Sequence, residues 1–352
     1  MARKKVPHTM EFLKGIYNFE NYDGLLFVGD PHISSYKPGT RLDKNFTDTV
    51  LDKLQQAVDI CLTYNLYMVI LGDLFDDDSD HDVLMLTKLI RLFKKLPNPP
   101  LTIIGNHEKT QHILTDDTFT AVMREAGVLH TIEKTQYWGR FKINNEFFYI
   151  GGTPYGQEIP DDVTQYIDKS LTEIMSYTIW LTHHDLAIGA YYPGCIMPKP
   201  IQGCDIVVNG HDHTTKDPVV IGNTTYFNPG NITRMSIDKK DHVPQVWAWT
   251  PKNKRKLEPF ALKYNKDIFN LTGRQVTVVE NKLTTQQLEQ KESKFSQLLT
   301  QTAQQQKHSE DITSDGSVVE ENIKVLSSAL TIDPDIVQEL LIIAKDCTKD
   351  LR

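Results

Sequence analysis

The sequence predicts an α/β fold in which two packed sheets carry helices on their outer faces. Three observations lead there. Short apolar strands alternate with helical stretches through the first third of the chain, the rhythm of βαβ units. Hairpin signals then replace helices in the middle. Polar side chains cluster directly after the predicted strands, at the strand ends where α/β proteins place their sites.

The N-terminal "MARKKVPHTMEFLKG" is basic and has no apolar run of signal-peptide length, and the first strand is read at "GLLFVG" (24–29). "LYMVIL" (66–71) and "LTIIG" (101–105) read as two more buried strands. Between the first two, Val50, Leu54, Val58 and Leu62 recur at four-residue intervals and predict a helix over 42–64. Further helices are predicted over 80–96 and 115–126. "YWGRFKI" and "EFFYIGG" flank Asn144-Asn145, and "PVVI" and "TTYF" flank Gly222-Asn223, both hairpin signals. "VPQVWAWT" (243–250) ends the strand-rich part, with Trp247 and Trp249 expected to pack.

A basic turn at 251–258 closes a large domain, 1–262. Residues 263–308 read as an accessory segment with a Gln-rich helix at 283–307. "SEDITSDGS" (309–317) is a polar linker. Residues 318–352 form a small helical extension, whose last helix carries Ile336, Leu340, Ile343 and Cys347 at helical spacing. Such a stripe needs a groove or partner helix to cover it.

Composition excludes several classes. The 352 residues are 39% hydrophobic and 24% charged, ordinary for a globular protein. No run of about 18 apolar residues exists, so no membrane span is expected. Cys61, Cys195, Cys204 and Cys347 form no CxxC pair, which suits a reducing cytoplasm and argues against a disulfide framework or zinc knuckle. A net charge of −8 counts against a clamp that neutralises phosphates with Lys and Arg. It leaves room for chemistry in which bound cations supply the positive charge.

The chemistry-bearing residues lie in five stretches, each just past a strand: "GDPH" (29–32), "GDLFD" (72–76), "GNHE" (105–108), "THHD" (182–185) and "GHDH" (210–213). Mixed carboxylate, carboxamide and imidazole ligands suit manganese, iron or zinc, and the lack of thiolates argues against a structural zinc site. His183, the first residue past "TIWLT", is preferred to His184 as a ligand. The remaining histidines, His8, His81, His112, His130, His242 and His308, read as surface residues.

The order GDxH, GDxxD, GNHE, a lone strand-end His and GHxH resembles the calcineurin-like metallophosphoesterase superfamily, over residues 24 to about 250. The resemblance implies a four-layer α/β/β/α sandwich and two divalent metal ions, manganese first, with iron, zinc or magnesium as alternatives. It implies that Asp30, His32, Asp73 and His213 hold one ion, that Asp73 bridges, and that Asn106, His183 and His211 hold the other. It further implies that His107 contacts the phosphate or leaving group and that Asp76 orients it. "GDLFDDDS", "GGTPYG" (151–156) and "YFNPGNITR" resemble the SbcD-type DNA-repair nuclease subunit, including phage versions. That likeness implies DNA as substrate, an SbcC-like SMC-type ATPase gripped by 318–352, and a homodimer. Two other readings stand beside it: a small-molecule phosphodiesterase or phosphatase, and a scaffold without chemistry. In the loop 186–204, Tyr191 and Tyr192 either stack on a base or pack the loop down.

Overall fold

The chain opens on an antiparallel hairpin, β1 (Thr9–Leu13) and β2 (Ile16–Glu20), turned through Lys14 (φ +50°) and Gly15 (φ +84°). This corrects the expectation that the first strand begins at residue 24. The structure is a computed structural model and describes residues 8–270 apart from 78, 79, 81, 109–113, 173, 174, 190, 192, 254 and 255. All of these belong to the unit Met1–Gly273. The helices expected beyond 271, the linker and the docking module lie outside the described residues.

After the hairpin come β3 (Gly24–Val28), α1 (Phe46–Tyr64), β4 (Leu66–Ile70), α2 (Val83–Phe93), β5 (Leu101–Ile103), α3 (Phe119–Glu125) and β6 (His130–Ile132). Each helix starts a few residues later than its periodicity alone suggests, because a capping side chain sets the start. Asn45 accepts from the N–H of Asp48, Asp82 from Leu84 and Met85, and Thr118 from Ala121. Next come β7 (Gln136–Ile143) and β8 (Glu146–Thr153), joined through Asn144 (φ +53°) and Asn145 (φ +67°), the paired left-handed residues of a tight hairpin turn. The rest is α4 (Lys169–Thr172), β9 (Met175–Thr182), β10 (Ile206–Asn209), β11 (Lys216–Ile221), β12 (Thr224–Asn228), β13 (Gln245–Trp249) and β14 (Leu257–Ala261).

These strands make two mixed sheets. One runs β14-β13-β3-β4-β5-β6, with β3 to β6 parallel. The other runs β1-β2-β7-β8-β9-β10-β12-β11, with β8, β9, β10 and β12 parallel. Alternation along β3 shows the layering. Leu25 and Phe27 point between the sheets, against Phe141, Phe148 and Trp249, while Leu26 and Val28 point at Val50, Leu54 and Leu89 of α1 and α2. A strand buried on both faces needs an unbroken apolar run, and β3 and β4 are buried at every residue. The outer face of the larger sheet is covered by Ile159, Val163, Leu171, Leu186 and Ile201 against Tyr149, Trp180 and Tyr226. Among the described residues that fourth layer is mostly loop, with α4 its one α-helix.

Past β14 the chain folds back on α1. The Lys263 N–H donates to Gln56, the Leu42 N–H to the Ile268 carbonyl, and Arg41 lies between the rings of Phe46 and Phe269. Residues 263–270 thus pack on the sandwich. No helix among the described residues is long and apolar enough to cross a membrane. Three histidines expected at the surface are partly buried instead. His8 sets Nε2 2.7 Å from Asn65 Oδ1 and packs on Tyr22. His130 packs between Tyr17 and Trp138, and His242 donates from Nε2 to the Asn231 carbonyl at 2.7 Å.

Candidate metal centre

The five motifs meet because all follow the carboxyl ends of parallel strands. Asp30 and His32 leave β3, Asp73 and Asp76 leave β4, and Asn106 and His107 leave β5; His183 leaves β9, and His211 and His213 leave β10. Four of these residues sit in the left-handed region: Asp30 (φ +33°), His32 (φ +47°), Asp73 (φ +47°) and His211 (φ +71°). Such conformations cost about 1–3 kcal/mol apiece in non-glycine residues and persist where surrounding structure enforces them, commonly at functional sites. The close approach explains two motif glycines. A Cβ on Gly105 would collide with Asp73, and one on Gly210 with the Leu71 carbonyl, beside Asp30 and His183.

Asp73 is the hub. Its Oδ2 lies 3.1 Å from His183 Nε2, 3.7 Å from His32 Nε2 and 4.0 Å from His107 Nε2, and its Oδ1 accepts the His107 main-chain N–H at 3.0 Å. Two groups of converging donor atoms share it: His32, Asp73 and His107, and Asp73, His183 and His211, with the atoms of each group within 4.8 Å of one another. The first gains His213, whose Nε2 lies 2.9 Å from His32 Nε2. The second gains Asn106, whose Oδ1 lies 3.1 Å from His183 Nε2 and 2.9 Å from His211 Nδ1.

Outer contacts fix each ring. His183 Nδ1 donates to the Leu71 carbonyl at 2.6 Å, which leaves Nε2 as the ring nitrogen that faces the other donors. His32 Nδ1 lies 3.0 Å from the Asp76 carboxylate, and His211 Nε2 lies 3.2 Å from that of Asp185. His184 turns away and places Nε2 2.8 Å from the Gln157 carbonyl. Asn209 ties the ends of β9 and β10 together, accepting from the Thr182 hydroxyl and the His184 N–H and donating to the His184 carbonyl.

The donor set fits divalent ions. Asp30 is wholly buried, yet among the described residues neither carboxylate oxygen has a hydrogen-bond partner. A carboxylate left so is costly unless a cation meets it. Burial pushes Asp30 up to about 7. Burial also opposes ionisation of Asp73, but the neighbouring His183, His32 and His107 outweigh it and hold that carboxyl well below the usual range. Burial disfavours charge on His183 as well, yet Asp73 and Asp30 drive it up to about 10, while burial and then His32 push His213 down to about 3. Protons on imidazoles thus balance the carboxylates, the places that cations take once ligands are deprotonated.

His107 and Asp76 occupy the open side, with side chains 36% and 35% exposed, whereas those of His32 and His183 are at most 2% exposed. Asp76 uses two groups here. Its carboxylate meets His32, and its main-chain carbonyl accepts from His107 Nδ1 at 2.5 Å. Tyr191 is 73% exposed, and Tyr192 lies outside the described residues.

Sequence reasoning passed over several contributors. Glu108 is buried and accepts main-chain N–H groups from Asp73 (3.0 Å), Gly105 (2.8 Å) and Leu74. The signal was present as the last letter of "GNHE", but a carboxylate serving backbone donors looks like any other acid in a motif. Tyr155, in "GGTPYG", sets its ring 5.6 Å from that of His211. Asp185, the partner of His211, closes "THHD".

No curated protein matches the chain. Among solved structures, TT1561 of Thermus thermophilus is 13% identical with a TM-score of 0.41, over 69% of this chain and 100% of that one. A putative 5'-nucleotidase from Staphylococcus aureus is 11% identical (TM-score 0.41, 68% of this chain), and a 5'-nucleotidase precursor from Thermus thermophilus is 12% identical (TM-score 0.40, 68% of this chain). The aligned part spans about half of each nucleotidase, 52% and 54%. Likeness this distant carries nothing about substrate. The profile of the calcineurin-like phosphoesterases matches residues 24–215, more than half the chain and all five motifs, and the chain belongs to that family of metal-dependent phosphoester hydrolases.

Proposed function

We propose that the chain is a two-metal phosphodiesterase acting on DNA, the nuclease subunit of an SbcCD-like complex. The observation that carries the two-metal part is Asp73, the one carboxylate shared by both groups of donor atoms. Asp30, His32 and His213 would hold one ion with it, and Asn106, His183 and His211 the other. When bound, manganese or a similar ion pair supplies Lewis acidity and an activated water for in-line attack on phosphorus.

The chain's own residues do the rest. The Asp76 carbonyl anchors His107 Nδ1, which turns Nε2 toward the donor set from the open side. His107 there would meet a phosphate oxygen or the leaving group. Asp76 and Asp185 hold the rings of His32 and His211 in place.

DNA as substrate rests on the SbcD-like segments and on where they lie. Tyr155 of "GGTPYG" flanks His211, and the N–H of Asn231 in "YFNPGNITR" donates to the His213 carbonyl at 3.3 Å. An SbcC-like ATPase partner, a homodimer and a cytoplasmic location belong to the same proposal.

The test compares manganese-dependent cleavage of linear duplex DNA, single-stranded DNA, bis-nitrophenyl phosphate and nucleoside 5′-monophosphates. The proposal expects cleavage of DNA and the diester. Release of phosphate from monophosphates with DNA left intact would replace it with the small-molecule reading.

A further inference from the structure

A second cleft lies away from the metal ligands and shares no lining residue with them. It measures about 530 Å³ and opens between the start of α1 and the returning segment 263–268. That is within the range of small-ligand pockets, about 300–1,000 Å³. Arg41, Lys53 and Arg234 line it, and each is only 4% exposed.

One buried carboxylate faces these three cations, and Arg41 occupies it. Arg41 Nε and Nη2 donate to the two Asp43 oxygens at 2.6 and 2.9 Å. Lys53 donates to the Lys263 carbonyl, and Arg234 to those of Lys240 (2.7 Å), Lys266 (3.3 Å) and Asn265. Carbonyls satisfy N–H groups but neutralise no charge. The other lining carboxylates, Asp48 and Asp52, are exposed at the rim, where Asp48 pairs with Lys88 at 2.7 Å and Asp52 accepts from Gln56 at 2.8 Å. Among the described residues the cleft's inner wall therefore keeps two positive charges in excess, in a chain whose net charge is −8.

Burial pushes the Lys53 ammonium down to about 8, with Asp52 opposing and Arg234 and Arg41 adding to the effect. Burial and then Arg41 lower Arg234 as well. Burying unpaired charge is costly unless a counter-charge arrives.

We propose that this cleft binds a phosphate group, at a site separate from the metal centre. Lys53 and Arg234 together match the two charges of a phosphate dianion, where a carboxylate would offset only one. Guanidinium and ammonium donors make their strongest hydrogen bonds to such oxygens. Lys44 and Lys263 add positive charge at the exposed rim. The ring of Tyr264, 4.7 Å from Arg234 Cζ and 5.6 Å from Lys53 Nζ, backs both cations.

Calorimetric titration of the full, metal-loaded chain with inorganic phosphate, and separately with a nucleoside 5′-monophosphate, tests this. The metal centre gives one class of phosphate site that chelation removes. The proposal expects a second class that survives chelation and weakens about tenfold or more in both Lys53→Met and Lys44→Glu. Lys44 is exposed, so its charge reversal decides the matter even if Lys53→Met fails to fold. Tighter binding of the monophosphate marks an ester as the source, and equal or tighter binding of phosphate marks the free ion; either supports a phosphate site. A single class abolished by chelation, or a second class untouched by both substitutions, would overturn the proposal.

Discussion

The carboxylate of Glu108 accepts the main-chain N–H of Asp73 at 3.0 Å, so the loop after β5 holds the loop after β4 in its left-handed turn. The same carboxylate serves Gly105 and Leu74. Glu108→Ala strands three buried donors at about 1–3 kcal/mol each and should cost about 3 kcal/mol or more. Glu108→Gln, with one acceptor oxygen, should fall between. Denaturant unfolding of both variants checks this, and equal stability of Glu108→Ala and wild type would remove the brace from the account.

His183 and His184 are neighbours with different duties. His183→Ala removes the Nε2 that faces Asp73 and Asn106 and should lower metal content by one ion per chain. His184→Ala should keep both ions, since its Nε2 serves the Gln157 carbonyl. Metal analysis of the two purified variants separates them; the reverse pattern would exchange the roles.

His107→Ala should keep both ions and lower turnover roughly 10²–10⁴-fold, the range for losing a positioned proton donor. His107 Nε2 also lies within reach of the first donor group, 4.0 Å from Asp73 Oδ2. Loss of an ion with unchanged turnover per bound metal would make His107 a ligand.

Burial pushes His130 down to about 4, and among the described residues its Nε2 has no hydrogen-bond partner. The folded value lies below the ordinary 6.5, so the unfolded chain binds the extra proton between these limits. Its contribution to stability is full above pH 6.5 and declines as pH falls toward 4. His130→Phe should flatten that part of the stability profile. Identical acid sensitivity of wild type and His130→Phe would contradict the assignment.

The clustering of the donor residues was legible in the sequence because each sits within a few residues of a strand end, and parallel strands bring such ends to one edge. Asp30, Asp73, Asn106 and His211 needed no knowledge of long-range packing to be singled out. The N-terminal hairpin was harder. Its turn at Lys14-Gly15 is ordinary, and the second neighbour of β2, the parallel strand β7, lies more than a hundred residues further on. The burial of His130 comes from Trp138 on the next strand and from Tyr17, distant in sequence, and the latter leaves no local mark. The cationic cleft was hidden for the same reason: Arg41, Lys53 and Arg234 converge only after residues 263–270 fold back on α1.

The central claim is one binuclear centre bridged by Asp73, and paramagnetic resonance of the manganese-loaded chain, with metal analysis on the same sample, tests it most directly. The account predicts two manganese ions per wild-type chain with an exchange-coupled spectrum, and loss of coupling, of metal and of diesterase activity in Asp73→Asn. Two ions retained and still coupled in Asp73→Asn, or two uncoupled ions in the wild type, would contradict it.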